Sequence, residues 1–325
     1  MKTLQFREAL REAMSEEMRK DKSVFLLGEE VAEYNGAYKV SQGMLDEFGP
    51  KRVIDTPIAE LGFAGIAVGA SMNGLKPIVE FMTWNFAILA ADQIINSAAK
   101  MLQMSGGQYH CPIVFRGGNG TAGQLAATHS QSFEAFYAHV PGLKVITPSN
   151  PADAKGLLKS AIRDEDPVVF LESEKMYGDK GEVPEGEYLI PIGKANVKRK
   201  GQHVTVVSFG KIIKIAEEVA EVLAKENIDI EIIDLRTIRP IDYGTIVDSI
   251  KKTNRCVVVE ESWPLASISS EIAYHVQRYA FDHLDAPVLR VTQTDTPFAF
   301  SPTLIEAALP SKQELIDAIK QVLYA

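Results

Sequence analysis

Short, continuous apolar runs alternate with helix-like stretches from one end of this chain to the other, and that alternation restricts the fold more than any other feature. Val24-Phe25-Leu26-Leu27 is the first such run; Arg52 to Asp55, Pro77 to Phe81, Pro112 to Arg116, Lys144 to Thr147 and Pro167 to Leu171 follow. Phe6, Ala9, Leu10, Ala13, Met14 and Met18 recur at helical spacing, and further helical runs cover Ala59 to Met72, Ala87 to Met104 and Pro151 to Arg163. A strand that is apolar on both faces has to be covered on both faces. The pattern therefore predicts an α/β fold with a parallel sheet between helical layers.

Residues 176–200 interrupt the rhythm. Tyr177 to Gly186 is rich in Gly, Pro and charge and reads as a linker. A second α/β unit follows, with strands expected at Val204 to Phe209, Ile228 to Ile233, Cys256 to Glu260 and Val288 to Val291. Its helices are expected at Lys211 to Glu226, Tyr243 to Thr253, Ser267 to Tyr279 and Lys312 to Leu323. A length of 325 residues suits two domains, placed at 1–190 and 191–325.

Composition excludes several functions. A formal net charge of −9 argues against a nucleic-acid surface, which needs clustered Lys and Arg. The 2 cysteines, Cys111 and Cys256, sit in apolar strand-like runs without metal-ligand spacing and read as buried small hydrophobes. The first eight residues, Met1 to Glu8, resemble neither a signal nor a transit peptide, and no run approaches the roughly 18 apolar residues of a membrane span. The expected location is the cytoplasm, or a plastid stroma or mitochondrial matrix if the chain is made there or has lost a leader.

Open parallel sheets bind ligands beyond the carboxyl ends of their strands. The loops to inspect are Gly28-Glu29-Glu30, Asp55 to Glu60, Thr83 to Phe86, and Gly117 to His129. Gly118 to Gly123 fits Gly-x-Gly-x-x-Gly, a dinucleotide fingerprint. A working fingerprint leads through a helix to a strand ending in an acid; here the next strand ends in Pro148-Ser149, so a glycine-rich strand-end turn is the better reading.

Several longer segments are more specific. Asp55 to Gly69 (Asp-Thr-Pro-Ile-Ala-Glu-Leu-Gly-Phe-Ala-Gly-Ile-Ala-Val-Gly), Glu80 to Phe86, Asp92 to Lys100, Thr128 to Gln131, Pro141 to Val145, Asp234 to Pro240 and Val259 to Pro264 resemble the beta subunits of pyruvate dehydrogenase, within the thiamine-diphosphate-dependent 2-oxo-acid dehydrogenases. The resemblance runs over nearly the whole chain. It implies a transketolase-like pyrimidine-binding domain followed by a transketolase C-terminal domain. It also implies an alpha2-beta2 heterotetramer whose alpha subunit holds Mg2+ and the diphosphate through a Gly-Asp-Gly…Asn motif. This chain contains no Gly-Asp-Gly.

The same resemblance implies roles for individual residues, each with a plainer alternative. Glu60 would contact the cofactor pyrimidine; otherwise it is a first-turn acid favouring a helix N-terminus. Phe86 would pack on the pyrimidine, or simply fill a core beside Phe81 and Trp84. Glu29 would support the pyrimidine pocket. His129 would sit where the acyl group meets the lipoyl group of a dihydrolipoyl acetyltransferase, or be a solvated loop histidine. A potassium ion would be held by carbonyls of Ile113, Ala161 and Ile162 with Asp164 and Asp166, which otherwise read as charged turn residues. The reaction implied is oxidative decarboxylation of pyruvate with acetyl transfer to lipoyl groups. A branched-chain 2-oxo-acid or acetoin dehydrogenase beta subunit, and a non-catalytic assembly subunit, are the rival readings.

Overall fold

A computed structural model describes residues 1–325. They form two compact units: residues 1–119 with 136–192, and residues 120–135 with 193–325.

The first unit contains strands β1 (Lys2–Gln5), β2 (Val24–Gly28), β3 (Val53–Asp55), β4 (Lys76–Thr83), β5 (Val114–Asn119), β6 (Lys144–Ile146), β7 (Val168–Ser173) and β8 (Lys180–Val183). Its helices are α1 (Phe6–Lys20), α2 (Met44–Phe48), α3 (Glu60–Met72), α4 (Trp84–Ala87), α5 (Met101–Met104), α6 (Glu134–Ala138, at the edge of the unit) and α7 (Pro151–Arg163). Six strands run parallel in the order β6-β7-β5-β4-β2-β3. All five residues of β2 are buried, as the unbroken apolar run requires. Phe6, Leu10, Met14 and Met18 of α1 and Leu157 and Leu158 of α7 pack with Val24, Leu26, Ile78 and Phe170 on one face of the sheet. On the other face Phe63 of α3 meets Phe81 of β4, ring centroids 5.6 Å apart.

Strand order matters for function. The chain passes from β2 to β3 on one side, then crosses to β4 on the other, so the order reverses at β2. Such a reversal opens a crevice at the carboxyl ends of the strands.

In the second unit, strands β9 (Asn196–Arg199), β10 (Val204–Ser208), β11 (Ile230–Asp234), β12 (Thr237–Arg239), β13 (Cys256–Val259) and β14 (Leu289–Val291) alternate with α8 (Ile213–Ala224), α9 (Tyr243–Thr253), α10 (Ile268–Tyr279), α11 (Pro302–Ala308) and α12 (Lys312–Leu323). Its sheet has the order β14-β13-β10-β11-β9, parallel except for the edge strand β9. Helices α8 and α12 share one apolar core with β10, β11 and β13.

Two sequence expectations need correction. The stretch Tyr177 to Gly186 is not wholly a linker: β8 pairs antiparallel with β1, and Tyr177 is buried and stacks on Tyr38 at 4.8 Å. The single helix expected from Ala87 to Met104 is instead a 3₁₀ turn (Ile88–Ala90), a π-helical stretch (Gln93–Ala98) and α5. There the Ala99 N–H donates to the Ile94 carbonyl at 3.1 Å, one residue further back than in an α-helix. Residues 120–135 cluster with the second unit, where buried Thr121 hydrogen-bonds to Glu261.

Candidate active site

The crevice at the end of β2 is built by close backbone approach. A Cβ on Gly28 would lie 2.4 Å from the Glu80 carbonyl of β4, so only glycine lets β2 end there. Asp55, ending β3, holds the turn that follows β2: its Oδ1 accepts from Ala32 N–H at 2.7 Å and its Oδ2 from Glu33 N–H at 3.1 Å. Ser41 Oγ donates to the Val31 carbonyl at 2.7 Å, closing the other side. Thr56 N–H donates to the Gly28 carbonyl at 3.0 Å, which brings the loop after β3 alongside the loop after β2.

Those two loops bring Glu29 and Glu60 together. Both side chains are buried, at 6% and 4% exposure. Burial, and then the charge of Glu60, push the Glu29 carboxyl up to about 7 from 4.5. Two carboxylates confined together resist joint ionisation, so such a pair retains a proton near neutrality. The upward shift falls on Glu29, for which sequence reasoning expected only a supporting place in the pocket. Glu29 Oε1 and Thr56 Oγ1 are buried without a hydrogen-bond partner. Unsatisfied buried polar atoms of this kind call for a functional explanation.

Phe86 lies in α4, directly after β4, and is half-buried. The Thr83 side chain caps α4 by accepting from the Asn85 N–H. An aromatic wall links the helix of Glu60 to that of Phe86: Phe63 to Phe81, then Phe81 to Trp84 at 5.6 Å, then Trp84 to Tyr137 at 4.8 Å. These rings fill the core and leave Phe86 partly exposed, so the plainer reading, core packing, fits Trp84 and Phe81 better than it fits Phe86.

Sequence reasoning gave no role to a buried charge cluster behind the crevice. Arg116 of β5, 1% exposed, donates through Nε to Glu172 Oε1 at 2.6 Å, through Nη2 to Glu172 Oε2 at 2.5 Å, and through Nη1 to Glu80. Tyr177 Oη donates to Glu172 Oε2 at 2.8 Å. Charged residues inside otherwise apolar strands were the available signal. Burial pushes the Glu80 carboxyl up, with Arg116 opposing.

His129 lies in the other compact unit, in a 3₁₀ turn (Ala127–His129), its Nδ1 3.0 Å from Thr128 Oγ1. Gly118 and Asn119 finish β5 and no helix starts directly after Gly123, so the Gly-x-Gly-x-x-Gly segment lacks the helix that a dinucleotide site needs. Asp164 and Asp166 converge, but on the chain's own ammonium: Lys144 Nζ lies 2.7 Å from Asp164 Oδ1 and 3.0 Å from Asp166 Oδ2. The Ile113 carbonyl accepts from Val168 N–H at 2.9 Å and the Ala161 carbonyl from Asp164 N–H at 3.2 Å. No group of three or more His, Cys, Asp or Glu is arranged to hold a metal ion, and no helix is long and apolar enough to cross a membrane.

Known proteins share this architecture. Residues 2–180 match the transketolase pyrimidine-binding domain, and residues 193–315 the transketolase C-terminal domain. The "Pyruvate dehydrogenase E1 component subunit beta" of Rickettsia felis is 57% identical over 98% of this chain and 98% of its own length. That of Rhizobium meliloti is 57% identical over 100% of this chain and 71% of its own length. The mitochondrial subunit of Dictyostelium discoideum is 52% identical over 99% of this chain and 91% of its own. A solved "split gene transketolase, inactive beta4 tetramer" shares the fold, with a TM-score of 0.80 at 22% identity over 99% of this chain and 98% of that one. The chain therefore belongs to the family of pyruvate dehydrogenase E1 component beta subunits, built from a transketolase pyrimidine-binding domain and a transketolase C-terminal domain.

Proposed function

We propose that this chain is the beta subunit of a pyruvate dehydrogenase that oxidatively decarboxylates pyruvate and passes acetyl to the lipoyl groups of a dihydrolipoyl acetyltransferase, and that it does so only with an alpha subunit. The observation that carries the reading is the buried Glu29–Glu60 pair at the end of β2, where strand order reverses. Buried polar atoms without partners, Glu29 Oε1 and Thr56 Oγ1, leave the pocket ready for a polar ring such as an aminopyrimidine.

Thiamine diphosphate, when bound, supplies the thiazolium that stores the electron pair released on decarboxylation. Glu60 is the carboxyl that would hold a proton against the pyrimidine ring nitrogen. Glu29 raises the penalty for ionising both carboxyls, so one proton stays in the pocket near neutral pH. Phe86 would lie flat against the pyrimidine and exclude water from one side. His129 would relay protons during acetyl transfer.

A partner chain is supported by the outer surface of α3 and the turn before it. Ile58 is 84% exposed, Ile66 70% and Leu61 51%, beside a Glu60 that is 4% exposed. Apolar surface clustered next to a functional carboxyl suits a protein interface. The alpha subunit would bring Mg2+ and the diphosphate grip, which need carboxylate and amide oxygens. A potassium ion at Ile113, Ala161, Ile162, Asp164 and Asp166 would have to share both carboxylates with Lys144. We place the protein in the cytoplasm, in keeping with its bacterial relatives.

Co-expression with a candidate alpha partner tests the reading. The assembled complex should decarboxylate pyruvate only when thiamine diphosphate and Mg2+ are supplied, and faster than branched-chain 2-oxo acids or acetoin. Preference for either of those would reassign the substrate.

A further inference from the structure

We propose that Glu261 is a positioning residue that locks the base of the loop carrying His129; this rests on the reading that His129 serves the reaction. The loop leaves β5 at Gly120 and returns at Gln131, where the Gly120 N–H donates to the Gln131 carbonyl at 3.0 Å. Between these ends it has little regular structure, only the 3₁₀ turn that ends at His129. Ala126, three residues before His129, has φ 63° and ψ −163°, a region populated almost only by glycine. A backbone held there needs surroundings that over-determine it.

Glu261 supplies such a constraint. It lies just beyond β13 and is 6% exposed. Its Oε1 accepts from Thr121 N–H at 2.5 Å and from Thr121 Oγ1 at 2.6 Å. Its Oε2 pairs with Lys211 Nζ, and the same ammonium also hydrogen-bonds Thr121 Oγ1. Thr121 is 1% exposed, so the lock is shielded from water. Gly120 makes room for it: its φ is +77°, and a Cβ there would come within 3.0 Å of Glu261 Oε1. One carboxylate thus takes a backbone amide, a hydroxyl and an ammonium at the point where the loop begins. Removing its charge strands a half-buried ammonium and weakens both bonds to Thr121. Small losses of registry in a catalytic group are enough to slow turnover by about 10- to 100-fold.

The test uses the assembled complex with its alpha partner, comparing wild type, Glu261→Gln, His129→Gln and the double variant. Amide hydrogen exchange across residues 120–131 should quicken at least tenfold in Glu261→Gln, while exchange in β10 and β13 stays at the wild-type rate. Turnover should fall about 10- to 100-fold with KM for pyruvate within about twofold, and Glu261→Gln should add nothing further in the His129→Gln background. Unchanged loop exchange, or losses that multiply in the double variant, would overturn the proposal. Wild-type turnover in His129→Gln would instead sink the reading of His129 and leave exchange to decide the lock. If Glu261→Gln fails to assemble, Glu261→Gln with Lys211→Met leaves no stranded charge and answers the same question.

Discussion

Replacing Glu29 by glutamine should stabilise the protein, and by an amount that grows with pH. The native Glu29 carboxyl is raised from 4.5 to about 7, by burial first and by the Glu60 charge second. Below pH 4.5 native and unfolded chains both hold the proton, and nothing is lost. Between 4.5 and about 7 the unfolded chain releases it while the native one keeps it, so stability falls as pH rises. Above about 7 both are ionised and the whole penalty is present. At about 1.4 kcal/mol per tenfold change, that penalty has a ceiling of about 3 kcal/mol; solvent screening around the pocket lowers it to about 2 kcal/mol. A glutamine side chain cannot titrate and escapes it. In thermal denaturation without added thiamine diphosphate, the melting temperature of Glu29→Gln minus that of wild type should rise by roughly 4 °C between pH 5 and 8.5. Taking the difference cancels the titrating groups that do not interact with Glu29 and isolates the pair. A difference that stays flat across this range would show that Glu29 is an ordinary carboxylate and would refute the shared-proton pocket.

Other consequences can be checked directly. Arg116→Met leaves Glu80 and Glu172 buried without their counter-charge and should cost about 3–5 kcal/mol in urea denaturation. Burial raises the Cys111 thiol to about 11 and the Cys256 thiol to about 12, so neither should react with a disulfide reagent at pH 8 until the protein is unfolded. Exchanging choline for potassium should raise the melting temperature if a potassium ion competes with Lys144 for Asp164 and Asp166, and Asp164→Asn should erase the gain. Equal melting in both salts would leave Lys144 as the only counter-charge there.

The parallel sheets were legible because β2, β4, β5 and β7 are largely buried on both faces and therefore carry mainly apolar runs, interrupted only where Glu80, Arg116 and Glu172 form their buried cluster. β8 was not legible: Lys180-Gly181-Glu182-Val183 has a linker's composition, and only its pairing with Lys2–Gln5, far away in sequence, makes it a strand. The break in the helix from Ala87 to Met104 was hidden for a related reason, since apolar periodicity does not separate 3.6 residues per turn from a locally wider turn. At the site, Glu60 and Glu29 came from the resemblance, while their mutual burial, and the upward shift of Glu29, depend on two loops meeting. The partners Lys144 of Asp164 and Glu261 of Thr121 lie 20 and 140 residues apart, beyond any local signal.

Glu60 is proposed as the acid that activates the cofactor, and every other role at the site follows from it. Its most direct test is the rate of deuterium exchange at the thiazolium carbon in the assembled complex, wild type against Glu60→Gln. A loss of about 10² to 10⁴, the usual scale of an acid–base contribution, is predicted with assembly intact. Exchange at the wild-type rate would contradict the assignment and, with it, the role of the buried pair.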